Sequence, residues 1–383
     1  MAKRIRELFP LGVATGGAHC NRHQERDQLQ KNILNGHHTW LWARRRMGKT
    51  SLIEQVLKDL RTGRRKVVAK TLDLLVVHDI DELERRIREG VEALGVEILP
   101  KGQKTTTKLG RAFKELNPQF SVGAMGIHLK LGQHDSPIQG VSELLMGLDA
   151  AAGLYRRRVI MVFDEFQQLS QMKDVAIRAA AEGAIRHAVE RAQHITYLFA
   201  GSEKHLLASM FEDEDRPLYR LCRKMTLQRI SAAAYREFLR DAAKARWRRV
   251  LADERIDEIL TLTRRHPYYV NALCARLWDN PRAPTPASIQ AAWCGLIDED
   301  QSLVAGRVLR LSAAQRAMLT AIAKADQGAE HPASREFLAA IRLPASTGNK
   351  SKEILEQADL IHQEEDGRWY LVDPIMAAYL NAL

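Results

Sequence analysis

An apolar segment that runs into a lysine and a hydroxyl residue constrains this fold more than any other feature of the sequence. Residues 39–51 begin as an apolar run and continue into a loop that ends in Gly48, Lys49 and Thr50. This order matches the phosphate-loop pattern G-x-x-x-x-G-K-[ST], except that Ala43 takes the place of the first glycine. The pattern predicts a buried strand, a tight loop and the first turn of a helix.

The loop between this strand and this helix is a predicted phosphate-binding site. Its backbone N–H groups and the helix N-terminus would hold the β-phosphate of ATP, and Gly48 would let the backbone approach closely. Lys49 would reach the β- and γ-phosphates, and the Thr50 hydroxyl would hold Mg²⁺. Ala43 is small enough for the turn, so we expect nucleotide binding to survive. The predicted nucleotide-binding set is Ala43, Arg44, Arg45, Arg46, Met47, Gly48, Lys49, Thr50 and Ser51.

A second apolar run, about a hundred residues further on, ends in two acids. It spans Arg158 to Glu165 and is typical of a central parallel strand buried on both faces. Open α/β sheets bind ligands at the carboxyl ends of their strands, so the acids are expected beside the phosphate loop. Asp164 would hold Mg²⁺, directly or through water, and Glu165 would polarise the attacking water. Each motif alone could be a chance tripeptide or a solvated acidic turn; together, in this order and spacing, they predict a nucleotide site.

A third apolar strand, over residues 194–200, is followed by Gly201 and Ser202. A polar side chain at that strand end would lie beside the γ-phosphate, so Ser202 is assigned with Lys49 and Glu165 to the catalytic residues. The alternative is a simple Gly-Ser turn at the end of the strand.

The length of 383 residues exceeds one ordinary core, and the pattern predicts three domains. Residues 1–205 are expected to form a P-loop ATPase core of the α/β class, with a parallel sheet flanked by helices. A less regular insertion at 97–135, containing a short hairpin, interrupts this core. Residues 206–305 read as a helical lid.

The last predicted domain covers residues 306–383. An N-cap motif from Ser312 to Gln315 begins the first of three predicted helices, and Asp366-Gly367 marks a hairpin turn between two short strands. Three helices and a hairpin predict a winged helix-turn-helix.

Composition and charge limit the function classes. No apolar run approaches the ~20 residues that span a bilayer, and four cysteines without metal spacing are typical of reduced thiols, so a cytoplasmic protein without a membrane partner is expected. The formal net charge is +11, of which residues 1–205 carry +10 (33 basic against 23 acidic). This excess favours a polyanion partner such as duplex DNA, although scattered solvated arginines would give the same count.

Several short motifs resemble one family. In chain order they are R-R-x-G-K-T-S-L at 45–52, hhhhDEF at 159–166, G-S at 201–202, a P-L-Y-x-R-like turn at 217–220, H-P-Y-Y at 266–269 and V-D-P at 372–374. Together they are specific, and the chain resembles the archaeal-type ATPases, P-loop proteins related to the AAA+ and STAND families, over nearly its whole length. In the leading segment, whose family pattern is F-x-G-R-E, only Arg22 matches clearly.

The resemblance implies a nucleotide-dependent homo-oligomer. An arginine of a neighbouring subunit would complete the site, with Arg220 as the first candidate and Arg216 as the second. Both could instead form surface ion pairs with the acids at 212–215. The resemblance also places Pro267 near the base or sugar, and Arg22 near the nucleotide; for His266, a structural role at a helix start is the simpler interpretation.

Three functions remain open at this point. The first is an ATPase that grips DNA, with Lys350 and Lys352 on the third helix of the winged domain facing the duplex. The second is a STAND-like switch whose winged helix binds a partner protein, favoured by the acidic wing at 364–366 and the domain's net charge of −1. The third and weakest is a protein that binds ATP without hydrolysing it, suggested by Ala43 and opposed by the intact Lys49 and Glu165.

Overall fold

The computed structural model describes residues 8–63, 67–98, 136–325, 327–364 and 366–382. The hairpin predicted within the insertion at 97–135 lies outside these ranges. The chain divides into two compact units. We call Arg22–Arg45 with Lys49–Gln228 the α/β unit, and the chain up to Asn21 with Arg46–Gly48 and Arg229–Leu383 the helical unit. The three-domain boundaries drawn from the sequence stay a prediction.

The α/β unit is built on a sheet of five parallel strands. In chain order they are β1 Thr39–Trp42, β2 Val67–Asp73, β3 Arg158–Asp164, β4 Ile195–Gly201 and β5 Arg223–Thr226. Their spatial order is β2-β3-β4-β1-β5. β4 is buried along its whole length and β3 along most of it, which explains their unbroken apolar sequences. The predicted parallel α/β fold is confirmed.

Helices connect and cover these strands. They are α1 His23–Leu34, α2 Lys49–Thr62, α3 Ile80–Ile98, α4 Pro137–Leu154, α5 Val175–Arg191 and α6 Lys204–Glu212. Helix α4 packs on α3 and α5, and α1 packs on α2. Phenylalanines fill the core under β3 and β4: the ring of Phe199 lies 5.4 Å from that of Phe163 and 4.6 Å from that of Phe166.

Strand β5 is a difference from the sequence interpretation, which expected only helices between residue 204 and about residue 305. It is four residues long, and Arg223 and Lys224 are exposed. An edge strand needs no apolar run because only one of its sides pairs with a neighbour, and exposed cations suit such an edge. Short charged strands of this kind carry little signal in the sequence.

The helical unit contains eight helices and one hairpin in the part of the chain that is described. They are α7 Ala232–Trp247, α8 Asp253–Leu262, α9 Pro267–Asp279, α10 Pro286–Leu309, α11 Ala313–Lys324, α12 Arg335–Ala340, α13 Ala345–Gln357, α14 Pro374–Asn381 and the antiparallel strands β6 Ile361–Gln363 and β7 Trp369–Leu371. The expected N-cap of α11 is present, with Ser312 and Gln315 exchanging hydrogen bonds. None of the helices described is long and apolar enough to cross a membrane.

The segment before α1 belongs to the helical unit. Phe9 is buried, and its ring lies 4.9 Å from that of Trp278 and 5.8 Å from that of Phe238. Asn271 donates a hydrogen bond of 2.8 Å to the carbonyl of Pro10, which fixes the segment against α9.

Candidate functional site

The strand order brings three strand ends to one edge of the sheet. β4 pairs with β3 on one side and with β1 on the other, with Phe163 opposite Phe199 and Trp42 opposite Gly201. All three strands are parallel, so their carboxyl ends open on the same edge, where α/β sheets bind ligands. The loop after β1, the acids after β3 and the serine after β4 therefore meet.

Lys49 is the centre of this cluster. Its side chain is 7% exposed, and its Nζ lies 2.6 Å from Oδ1 of Asp164 and 2.8 Å from Oε1 of Glu165. A nearly buried ammonium between two carboxylates is an arrangement that needs close pairing, since an unpaired charge would be costly there. The three side chains that the sequence assigned to phosphate, metal and water are thus in direct contact.

Thr50 completes the pattern on the other side of Asp164. Its Oγ1 donates to Oδ2 of Asp164 at 3.3 Å. No group of three or more His, Cys, Asp or Glu side chains suited to a metal occurs among the described residues. One hydroxyl and one carboxylate do fit Mg²⁺ as it binds with nucleotides, because that ion takes most of its oxygen ligands from phosphates and water.

Glu165 is held in an unusual backbone conformation. Its φ of 52° and ψ of 40° are left-handed, and it begins a 3₁₀ turn over Phe166–Gln171. Such a conformation costs about 1–3 kcal/mol in a residue other than glycine and often marks a functional position. The turn directs the carboxylate back to the end of β4, where Oε2 accepts a hydrogen bond of 2.8 Å from Oγ of Ser202.

The pKa of Glu165 is lowered. Burial alone would raise it, but the charge of Lys49 and the hydrogen bonds from Lys49, Gln167 and Ser202 favour the carboxylate more strongly. Glu165 is therefore ionised at neutral pH, which is the form that can accept a proton from water.

Gln167 is a member of the site that sequence reasoning missed. It is fully buried, and its Nε2 donates to Oε2 of Glu165 at 2.6 Å. Its Oε1 is buried without a hydrogen-bond partner among the described residues. The only signal in the sequence is that Gln167 lies two residues after Glu165. This spacing indicates a contact only when the 3₁₀ turn that follows Glu165 is known.

The loop itself has the backbone that phosphate binding needs. Gly48 has a φ of 87° and Arg46 a φ of 62°. Ala43 is buried and is not among the residues with positive φ, which explains why a glycine is not required there. Arg45 lies 3.9 Å from Glu203, and Arg44 lies 5.1 Å from the ring centre of Trp42. Met47 is buried, and Ser51 is partly buried in the first turn of α2.

Arg22, assigned to the nucleotide by resemblance, has other contacts. It is 5% exposed, donates to Oε1 of Glu25 at 2.8 Å and donates to the carbonyl of Gln228 at 2.9 Å. These bonds join the start of α1 to the segment after β5. Its assignment to the nucleotide stays a prediction.

Pro267 is the first residue of α9 and follows His266. His266 is 3% exposed, and its pKa is lowered to about 3, first by burial and then by the charges of Arg229 and Arg46. The imidazole is therefore neutral. Arg46, which groups with the helical unit, lies 4.1 Å above the ring of Tyr268. A contact of Pro267 with the base or sugar remains untested.

The two candidate trans-acting arginines differ in their surroundings. Arg216 is bound to the fully buried carboxylate of Glu182, with Nε donating to Oε2 at 3.0 Å. Arg220 is exposed, has a φ of 53° and lies 5.0 Å from the ring centre of Tyr219. No carboxylate of the described chain lies within ion-pair distance of Arg220. Arg220 is therefore the arginine with an uncommitted charge.

The acidic wing is partly neutralised within the chain. Oε1 of Glu364 lies 3.3 Å from Nε of Arg229, and Oε2 lies 3.7 Å from a guanidinium nitrogen of Arg265. Burial opposes ionisation of Glu364, but His362 and these arginines lower its pKa. Glu365 lies outside the described residues. The expected repulsion of phosphates by the wing stays a prediction, and the two arginines reduce the share that Glu364 would contribute to it.

Comparisons with known proteins agree with this fold. A family model described as a probable winged helix domain matches residues 306–382. Among solved structures, a Walker-type ATPase of Pyrococcus abyssi is 19% identical, with a TM-score of 0.69, and the match covers 97% of this chain and 99% of that one. The ORC2 protein of Aeropyrum pernix, in its ADPNP–ADP complexes, is 12% identical, with a TM-score of 0.57, over 94% of this chain and 92% of that one. No curated protein sequence matches.

The fold is therefore that of P-loop ATPases with a C-terminal winged helix. The resemblance inferred from the motifs is confirmed at the level of the fold.

Proposed function

We propose that this protein binds ATP with Mg²⁺ and hydrolyses it to ADP and phosphate. The observation that carries the proposal is the contact of Lys49 with both acids, at 2.6 and 2.8 Å, beside the hydroxyl of Thr50. The ammonium of Lys49 neutralises the two carboxylates. For Lys49 to move to a phosphate group, another cation must take its place at Asp164. This exchange is what binding of a nucleotide together with a divalent cation provides.

Each residue then has one task. The backbone of the loop and Lys49 hold the phosphates, and Thr50 with Asp164 supplies the oxygens for the metal. When bound, Mg²⁺ neutralises charge on the β- and γ-phosphate oxygens. The carboxylate of Glu165 accepts a proton from water as the water oxygen forms its bond to the γ-phosphorus and the bond from that phosphorus to the ADP oxygen breaks. Ser202 lies beside Glu165 at the end of β4 and orients the reacting groups.

We favour adenine as the base of the bound nucleotide. The ORC2 protein with the same fold was solved with ADPNP and ADP, as its description states. That similarity supports the choice of adenine, but the proposal of nucleotide binding does not depend on it.

The direct test compares wild type with three variants. We expect wild type to hydrolyse ATP in the presence of Mg²⁺. Lys49→Ala should lose binding, and Glu165→Gln should bind ATP but hydrolyse it ~10²–10⁴-fold more slowly. Glu190→Gln, an exposed carboxylate on α5 paired with Arg186, is the matched control and should keep the wild-type rate. Wild-type hydrolysis by Glu165→Gln would overturn the assignment of the base, and a wild type that binds no ATP would overturn the proposal.

We also propose that the ATPase works as an oligomer on duplex DNA. The first turns of α13 expose Ser346, Thr347, Asn349 and Lys350 and no acid. Polar and cationic side chains at the start of this helix are suited to base edges and phosphates in a major groove. Lys352, in contrast, lies 3.8 Å from the ring centre of Trp369 and pairs with Glu356. The net charge of +10 over residues 1–205 would add non-specific attraction.

A second candidate is a nucleotide-driven switch whose winged helix binds a partner protein. The observation that favours it is the attachment of the wing to Arg229 and to Arg265, the residue directly before His266 and α9. A wing held inside its own chain can be released by a change in the helical unit.

ATPase rates measured with and without duplex DNA distinguish the DNA proposal from the switch proposal. On the DNA proposal, duplex DNA raises the rate, moderate salt removes the gain, and Lys350→Ala reduces it while Lys324→Ala does not. If DNA changes nothing at any salt concentration, the switch is the better account.

A further inference from the structure

The amide of Gln167 is wedged between the reacting end of the site and the backbone of β4. Its Nε2 lies 2.6 Å from Oε2 of Glu165 and 3.5 Å from Oγ of Ser202. On its other side, a Cβ added at Gly201 would lie 2.0 Å from Oε1 of Gln167. Gly201 does not have positive φ, so the glycine is required by space and not by backbone conformation. The amide therefore has one orientation.

Stability does not explain a glutamine here. Its side chain is fully buried, and its Oε1 accepts no hydrogen bond from the described residues. A buried carbonyl without a donor costs about 1–3 kcal/mol, and a methionine of similar shape would avoid that cost. What glutamine adds over methionine is the N–H that points at Glu165.

We propose that Gln167 is a positioning residue, which holds the carboxylate of Glu165 in place when Lys49 turns to the phosphates of ATP. The inference rests on the proposed function. At present Oε1 of Glu165 is bound by Lys49, whereas Oε2 is bound by Ser202 and Gln167. Once Lys49 leaves, Oε1 is the oxygen that becomes available to a water molecule. The two donors on Oε2 then keep Glu165 from swinging away.

This role separates Gln167 from a residue that merely fills space. Donors on Oε2 fix the carboxylate in the position from which Oε1 can face the attacking water, so removing one of them should lower kcat. The hydrogen bonds of the Gln167 amide go to Glu165 and Ser202 and not to the phosphate loop, so the KM for ATP should not change.

The test is Gln167→Met, with Gln168→Met as the matched control. Gln168 is the next residue of the same turn and is 7% exposed, and its hydrogen bond to Glu165 joins backbone atoms, the N–H of Gln168 and the carbonyl of Glu165. We expect Gln167→Met to fold as stably as wild type, to lower kcat about tenfold and to leave the KM for ATP unchanged. Gln168→Met should match wild type in both measurements.

The outcomes divide clearly. If wild type is active and the kcat of Gln167→Met equals that of wild type, the inference about Gln167 is overturned and the proposed function stands. A KM for ATP that changes as much as kcat, or an equal fall of kcat in Gln168→Met, overturns it as well, because the effect is then one of packing. A wild type with no ATPase activity overturns the proposed function and this inference with it. If Gln167→Met unfolds below the assay temperature, Gln167→Leu, which is also uncharged and lacks the donor, is expected to give the same loss of rate.

Discussion

Arg216 holds a carboxylate that solvent does not reach. Glu182 on α5 has no exposed side-chain surface, and Nε of Arg216 donates to its Oε2 at 3.0 Å while a second guanidinium nitrogen bonds Oε1. The same guanidinium lies 3.4 Å from Oγ of Ser170. An arginine bound in this way has a structural role within its own chain, which makes Arg216 a weaker candidate than Arg220 for a residue that would act in trans.

Replacing Arg216 should therefore cost stability. We expect Arg216→Ala to lower the free energy of unfolding of the α/β unit by about 3–5 kcal/mol, because Glu182 is left buried and uncompensated. Denaturant unfolding measures this. The double variant Arg216→Met with Glu182→Met should recover most of the loss. A stability equal to wild type for Arg216→Ala would contradict the assignment.

Replacing Arg220 should affect the reaction and leave the fold unchanged. Its side chain is exposed, and removing it leaves no buried charge. If it completes the site of a neighbouring subunit, Arg220→Ala should lower the ATPase rate by ~10³-fold or more at unchanged unfolding temperature.

Mixing variants tests whether Arg220 acts in trans. Arg220→Ala and Glu165→Gln are each expected to be inactive. A mixed oligomer contains interfaces with an intact Glu165 on one side and an intact Arg220 on the other, so part of the activity should return. A mixture that exchanges subunits and stays inactive would argue against a trans-acting Arg220.

Gly201→Ala should disturb the site through Gln167. The added Cβ would lie 2.0 Å from Oε1 of Gln167 and 2.8 Å from Cδ1 of Leu207. We expect a loss of about 1–3 kcal/mol in stability and a fall in ATPase rate, since Gln167 must move. Gly183→Ala on α5 is the control: nothing lies within 4 Å of its added Cβ, and it should stabilise the helix by up to ~1 kcal/mol.

Glu364→Gln should loosen the wing in a pH-dependent way. The pKa of Glu364 is lowered in the folded protein, so its contribution to stability is present above the ordinary carboxyl pKa of 4.5 and is lost as the pH falls through the lowered value. We expect the free energy of unfolding of Glu364→Gln to be about 1–3 kcal/mol lower than that of wild type at neutral pH. This difference should become smaller in acid. Thermal unfolding at several pH values checks this. Glu330→Gln, whose carboxylate is exposed beside Arg368, should show no such gap.

Much of the site could be predicted because its residues follow directly from strand ends. Lys49 and Thr50 follow β1, Asp164 ends β3 with Glu165 next, and Ser202 follows β4. Parallel strands gather their carboxyl ends at one edge, so the chain order is enough to place these side chains together.

The remaining residues depend on contacts that no local pattern encodes. Gln167 reaches Glu165 because a left-handed residue turns the chain there. Arg216 and Arg220 look equivalent in a charged turn, and only the distant Glu182 distinguishes them. Arg22 fits a family motif, yet its guanidinium bonds to Glu25 and Gln228.

Phe9 is synthesised long before the residues against which it packs. Its partners in the helical unit lie far along the chain, and the bond from Asn271 to the carbonyl of Pro10 spans 261 positions. A ribosome releases the whole sheet, up to β5, before Phe238 and Trp278 emerge. Phe9 therefore lacks its partners in the helical unit while the α/β unit is being synthesised, and a chain that stalls within that interval exposes a phenylalanine for chaperones to bind.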